Sequence, residues 1–145
     1  MSSQVHATCI ALASDGVIVR GPPGSGKSDL ALRLIDGGAR LVADDYVELD
    51  VDGGDLIASA PEAIAGLLEV RGLGVAKVPS IERARVAMVV DLVAADAIER
   101  LPEPATCELL GIQLPHLRLD PFTASACAKV RLAAEAARKD ILVRL

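Results

Sequence analysis

Apolar residues in this chain fall mostly in short runs separated by glycine and aspartate, the layout of a sheet buried on both faces and covered by helices. Val5–Leu12 and Val17–Arg20 read as strands joined at the turn signal Ser14-Asp15-Gly16. The spacing then becomes helical over Asp29–Ile35, with Leu30, Ala31 and Leu34 on one face, and Asp36-Gly37-Gly38 ends that helix. Ala39–Asp45 predicts a short buried strand finishing in two carboxylates. Val47–Val51 and Leu56–Ser59 flank Asp52-Gly53-Gly54-Asp55, a hairpin signal. Leu67–Pro79 holds apolar flanks around Arg71-Gly72-Leu73-Gly74, which reads as a loop. Arg85–Val93 predicts a long buried strand, and Pro102 and Pro104 mark a loop. Ile112–Leu119 predicts a last strand, placed at a sheet edge because Pro115 interrupts it. Asp120-Pro121 predicts the start of an Ala-rich helix from Phe122 to about Leu142. No linker divides these elements, so residues 1–145 read as one α/β domain, a mixed sheet with helices.

Composition narrows the picture. Of 145 residues 52% are hydrophobic, yet there is one Phe, one Tyr and no Trp, so Ala, Val, Leu and Ile must build the core. No apolar run approaches a membrane span, and the N-terminus lacks the layout of a signal peptide, so a cytoplasmic protein with no membrane partner is expected. The net charge of −5, with no basic stripe, argues against a nucleic-acid partner. Cys9, Cys107 and Cys127 are scattered and odd in number, and read as small buried residues rather than metal ligands.

The chemistry is concentrated in Gly21-Pro22-Pro23-Gly24-Ser25-Gly26-Lys27-Ser28, which fits the phosphate-cradling P-loop G-x-x-x-x-G-K-[ST]. The glycines let the backbone curl so that successive N–H groups point at phosphate oxygens. Lys27 reaches the β- and γ-phosphates, the Ser28 hydroxyl ligates Mg²⁺, and the helix starting near Lys27 adds its positive end. A strand before the motif and a helix after it supply the required context. ATP with Mg²⁺ is the expected ligand.

Asp44 and Asp45 come one strand later, at an end that a parallel arrangement sets beside the phosphate site. A carboxylate there can hold Mg²⁺ or accept a proton from an attacking hydroxyl. Adjacent carboxylates on an extended chain point to opposite sides, so one is expected to face the nucleotide and the other the backbone or solvent.

Several segments together resemble the HPr kinase/phosphorylases of bacteria, which phosphorylate a serine of the phosphocarrier HPr. They are VHATCIAL with His6, GPPGSGKSDLALRLI, LVADDYVEL and LLEVRGLGVAKV, and the Glu-x-Arg-Gly-Leu-Gly of the last is the most specific. The resemblance covers about Val5–Pro79, then weakens, and matches the C-terminal kinase domain alone. It implies a single P-loop kinase domain similar to phosphoenolpyruvate carboxykinase, and a protein serine kinase acting on an HPr-like phosphocarrier. It also admits a homo-oligomer. By resemblance Asp44 is the base taking the serine proton, Lys27 and Ser28 occupy the phosphate and Mg²⁺ positions, Glu69 is a second Mg²⁺ contact, and His6 is a catalytic-site histidine. Asp45 joins Ser28 and Glu69 in the expected metal set, and Arg100 matches a later catalytic arginine. The family's Pro-x-x-Pro-Gly-Arg-Asn-like run, linked to dephosphorylation, is missing from Leu114–Ala126, so weak phosphorylase activity is expected.

Plainer readings stand beside these. His6 lies in an apolar strand, where a lone histidine is usually structural. Glu69 and Arg71 could form a surface ion pair, and Arg100 could balance Asp96, Glu99 and Glu103. His116 is read as structural. Two other functions use the same loop: a small-metabolite or nucleotide kinase, whose arginine-rich lid is not evident in Arg83–Arg118, and a non-catalytic nucleotide-sensing regulator.

Overall fold

The computed structural model describes residues 2–139 and 141–143. Its strands are β1 (Ser2–His6), β2 (Thr8–Leu12), β3 (Asp15–Arg20), β4 (Arg40–Ala43), β5 (Tyr46–Asp52), β6 (Asp55–Ser59), β7 (Leu67–Val70), β8 (Gly74–Lys77), β9 (Arg83–Leu92), β10 (Ala105–Leu109) and β11 (Ile112–Leu119). The α-helices are α1 (Lys27–Asp36) and α2 (Ala126–Arg138).

The main sheet follows the order β1-β5-β6-β9-β3-β2-β4. Strand β9 divides it. One side of β9 pairs with β3, while the other pairs with β6 over Arg83–Arg85 and with β11 over Val89–Leu92. Because β1 runs on into β2 and β4 into β5, the two ends of this path are joined by the chain and the sheet curls. Strands β3 and β4 are both antiparallel to β2, so they run the same way and end at the same rim of the sheet. That rim carries the P-loop and the two aspartates, although an antiparallel strand separates β3 from β4.

Both faces are buried, as the continuous apolar runs require. Val17, Val19, Met88 and Val90 meet Leu30, Ala31 and Leu34 of α1 and Val130 of α2. Their alternating neighbours Ile18 and Val89 join Cys9, Val47, Leu49 and Leu114 on the other face. Cys9 is fully buried, and burial pushes its thiol up to about 12, which leaves it inert.

Several expectations change: the strand expected over Val5–Leu12 divides at Ala7 into β1 and β2, and the loop expected within Leu67–Pro79 is the turn of the β7–β8 hairpin. Strand β10 was not legible between Pro104 and Ile112; it pairs with β11, so β11 lies between β10 and β9 instead of at an edge. Pro115 is tolerated because it faces Thr106 on one side and lies one residue before the pairing to β9 begins at His116. Helix α2 starts at Ala126 rather than near Phe122, because Asp120 Oδ1 accepts from Phe122 N–H and closes a turn there instead of capping a helix. Its last helical residue is Arg138, short of Leu142.

His116 has a structural partner. Arg20 Nε and Nη2 donate to Asp91 at 2.8 and 2.9 Å, and His116 Nε2 lies 2.7 Å from Asp91 Oδ2. Burial would raise the Asp91 carboxyl, but the hydrogen bonds from Arg20 and His116 outweigh it and hold it below its ordinary range. Asp91→Ala strips the Arg20 guanidinium and the His116 ring of their shared partner, and is expected to lower stability at pH 7 by about 1–3 kcal/mol in urea denaturation. The sign with pH is fixed. A carboxyl depressed in the fold contributes fully above its unfolded value of 3.8 and loses that contribution as pH falls through the folded value. The gap between wild type and variant should therefore persist at pH 6 and shrink in strong acid.

Candidate nucleotide and phosphoryl-transfer site

The loop after β3 curls as its glycines predict. Gly24 and Gly26 take φ of 81° and 100°, in the left-handed region. A side chain on Gly21 would meet Ser25 Oγ at 2.5 Å, so the Ser25 hydroxyl would have to move to admit one. Helix α1 begins at Lys27 behind Gly26 with no side-chain cap, leaving its first-turn N–H groups for a ligand. Ser25 Oγ is buried without a hydrogen-bond partner. Lys27 is 8% exposed, and its Nζ donates to Gly21 O at 2.7 Å and Pro22 O at 3.2 Å, so the ammonium is held within the loop.

The second component is a break in a long antiparallel pair. His6 faces Tyr46 and Cys9 faces Ala43, and the two residues between on each chain, Ala7-Thr8 and Asp44-Asp45, leave regular pairing. Asp45 adopts φ 70°, a conformation aspartate tolerates better than most residues and one that clusters at functional sites. Its carbonyl still accepts from Ala7 N–H at 3.1 Å. The backbone is therefore not extended here, and the two carboxylates do not diverge as expected: both line one cavity of about 830 Å³ with the P-loop.

Their partners differ. Asp44 is 6% exposed and accepts three hydrogen bonds, from Thr8 Oγ1 at 3.0 Å, Ser28 Oγ at 2.9 Å and Glu69 N–H at 3.3 Å. The Asp45 side chain is 61% exposed, with His6 Nε2 at 2.7 Å from Oδ1. The third component is the β7–β8 hairpin, whose Glu69, Val70, Arg71, Gly72, Gly74 and Val75 form one wall of the cavity. Leu68, fully buried against the α1 core, anchors it, a contribution of roughly 2 kcal/mol.

A P-loop, a carboxylate pair and a Glu-bearing hairpin around one cavity are what the sequence resemblance leads one to look for. The model of the HPr serine kinase C-terminal domain matches residues 1–142. The chain belongs to the HPr serine kinase C-terminal domain family. An HPr kinase/phosphorylase of Geobacillus thermodenitrificans is 38% identical over 130 residues, covering 81% of this chain and 42% of that relative. One of Bordetella pertussis is 34% identical over 156 aligned positions, covering 99% of this chain and 50% of the relative. The chain thus spans half or less of these relatives' length. Among solved structures, the HPr(Ser) kinase/phosphatase from Coxiella burnetii matches with a TM-score of 0.84 at 26% identity, covering 96% of this chain and 98% of that one. The fold is the P-loop kinase fold of this family.

Within this HPr kinase-type framework the predicted residues sort as follows. His6, Pro23, Gly24, Gly26, Lys27, Ser28, Asp44, Asp45 and Glu69 come together around the cavity. Gly21, Pro22 and Ser25 lie beneath, shaping the loop and holding Lys27. Arg100 is exposed in the segment after β9 and does not line the cavity, a departure from the expected catalytic set. Asp45 pairs with His6, while the hydroxyl of Ser28 goes to Asp44. Among the described residues no group of three or more His, Cys, Asp or Glu is clustered to hold a metal, and Glu69 and Arg71 form no ion pair. Sequence reasoning missed Thr8 and Phe122 as wall residues. The single Phe of an aromatic-poor chain was a signal; Thr8 offered none until register set it beside Asp44.

Proposed function

We propose that residues 1–145 form one kinase domain that transfers the γ-phosphoryl group of ATP, with Mg²⁺, to a serine of an HPr-like phosphocarrier in the cytoplasm. The observation that carries this is the pairing of an exposed, histidine-bonded carboxylate with a buried, Ser28-bonded one on the same P-loop cavity. No helix among the described residues is long and apolar enough to cross a membrane.

The residues present fit the ligands. An uncapped helix end, an orphaned buried hydroxyl on Ser25 and the Lys27 ammonium suit a triphosphate. Ser28, Asp44 and Glu69 supply only oxygen donors, the set a hard cation such as Mg²⁺ prefers. Bound there, Mg²⁺ would neutralise charge developing on the phosphates.

The roles we infer for the two aspartates exchange those first expected. Asp44, buried and hydrogen-bonded to the Ser28 hydroxyl beside the P-loop, suits the metal side with Ser28. Asp45 keeps an open carboxylate oxygen toward the cavity while His6 orients the other, which suits a base that accepts the serine proton. Lys27 holds the phosphates while the hydroxyl approaches in line.

The test is incubation with ATP, Mg²⁺ and a purified HPr-like protein, read as a phosphoserine mass shift. Phosphorylation of small metabolites alone would replace the protein-kinase reading, and ATP binding without transfer to either would favour a regulator. Run in reverse on phosphoserine carrier with saturating phosphate, the same system should turn over far more slowly. Arg118, in the segment where the family's arginine-glycine run is missing, donates to Ala97 O and does not line the cavity.

A further inference from the structure

We propose that Phe122 is the platform on which the purine base of the nucleotide stacks. This rests on the nucleotide reading of the cavity. Phe122 is the chain's single phenylalanine and is 73% exposed, yet it lines the P-loop cavity. Tyr46, the one tyrosine, does not line it, so among the described residues the phenyl is the cavity's sole carbocyclic ring.

The backbone that carries the ring is held in a hydrogen-bonded turn. Phe122 N–H donates to Asp120 Oδ1 at 3.0 Å, Thr123 Oγ1 donates to Asp120 O at 3.3 Å, and Arg33 of α1 donates to Pro121 O. The turn is thus tied to the helix that carries the phosphate loop. The ring edge lies 3.4 Å from where a Cβ on Gly26 would stand, so Gly26 leaves room for it as well as for the loop's curl. An exposed phenyl held this way keeps a flat apolar face in water, which costs free energy unless a ligand covers it.

Its position suits the base end of the ligand. Helix α1 packs against β2, β4 and β7 on one flank and α2 on the other. His6, Asp44, Asp45 and Glu69 belong to the first flank, where transfer takes place in the reading above. Phe122 leads into α2 on the second. With the triphosphate held across Gly24–Ser28, the reacting end points to the carboxylates and the base to Phe122. Stacking uses the π-face every base carries, so the platform favours nucleotides over inorganic polyphosphate and discriminates weakly between adenine and guanine.

Two variants test this. Because the chain has no Trp, Phe122→Trp installs a single reporter on the platform. ATP is expected to quench its fluorescence saturably, and inorganic tripolyphosphate to bind without quenching. In calorimetry, Phe122→Ala is expected to weaken ATP about five- to a hundredfold, leave tripolyphosphate unchanged, and leave the melting curve unchanged because the side chain is exposed. Phe122→Trp should restore ATP affinity. Equal weakening of both ligands would overturn the platform and make Phe122 a support of the loop. Unchanged ATP affinity would overturn it too, and a raised KM for the carrier protein with that result would move the residue to partner recognition. Wild-type protein that binds tripolyphosphate separates failure of the platform from failure of the P-loop reading; wild type that binds neither ligand sinks both.

Discussion

Lys27→Ala should weaken nucleotide binding about ten- to a hundredfold and slow transfer further, while leaving the fold intact. The side chain is buried, but its hydrogen bonds run only to Gly21 O and Pro22 O of its own loop, and no core residue depends on it. Its removal should cost about 1–3 kcal/mol of stability, confined to the loop. A charge-assisted bond to phosphate contributes about 1.5–3 kcal/mol to binding, and more where charge builds up in the transition state, so transfer should fall at least a hundredfold. Calorimetry with ATP and Mg²⁺, beside thermal melts of both proteins, measures the two parts. Equal affinity and equal turnover in the variant would remove the P-loop assignment, and with it the reading of the cavity.

The second large effect separates the aspartates. Asp45→Asn should keep ATP affinity within a few-fold but slow phosphorylation of the carrier by about 10²–10⁴, the usual share of a general base. Asparagine tolerates the left-handed backbone that Asp45 adopts at φ 70°, so the substitution tests charge and not strain. Asp44→Asn should behave differently. An amide cannot accept from Thr8, Ser28 and the Glu69 N–H together without setting its own NH₂ against one donor. It should cost about 1–3 kcal/mol of stability and weaken ATP only when Mg²⁺ is present. Titrations with and without Mg²⁺, alongside the phosphoserine mass shift, distinguish the two variants. If Asp45→Asn phosphorylates at the wild-type rate while Asp44→Asn binds ATP normally and does not, Asp44 is the base.

The Asp44–Asp45 step shows where sequence reasoning reaches its limit. Two neighbouring carboxylates after a P-loop strand announce their importance, but not which does what. Alternation along an extended strand sends one of them away from the ligand. The structure brings both to the cavity because the pairing of β1–β2 with β4–β5 breaks at that point, and that break depends on register across some forty residues: His6 and Asp45 are 39 apart, Thr8 and Asp44 36.

Sequence alone determined whatever is decided within a few residues. The P-loop is set by where glycine is required, α1 by its period and its Gly37-Gly38 end, and the hairpin at Asp52–Asp55 by turn residues between apolar flanks. Family membership was legible for the same reason, since its motifs are contiguous. Tertiary structure decided the rest. It assigned His6 to Asp45 and Ser28 to Asp44, left Arg100 outside the cavity, recruited β10 to cover β11, and held the exposed ring of Phe122 beside Gly26. Each of these depends on which distant segments a curled sheet sets side by side. Turn chemistry and hydrophobic period act over a handful of residues and carry no record of that choice.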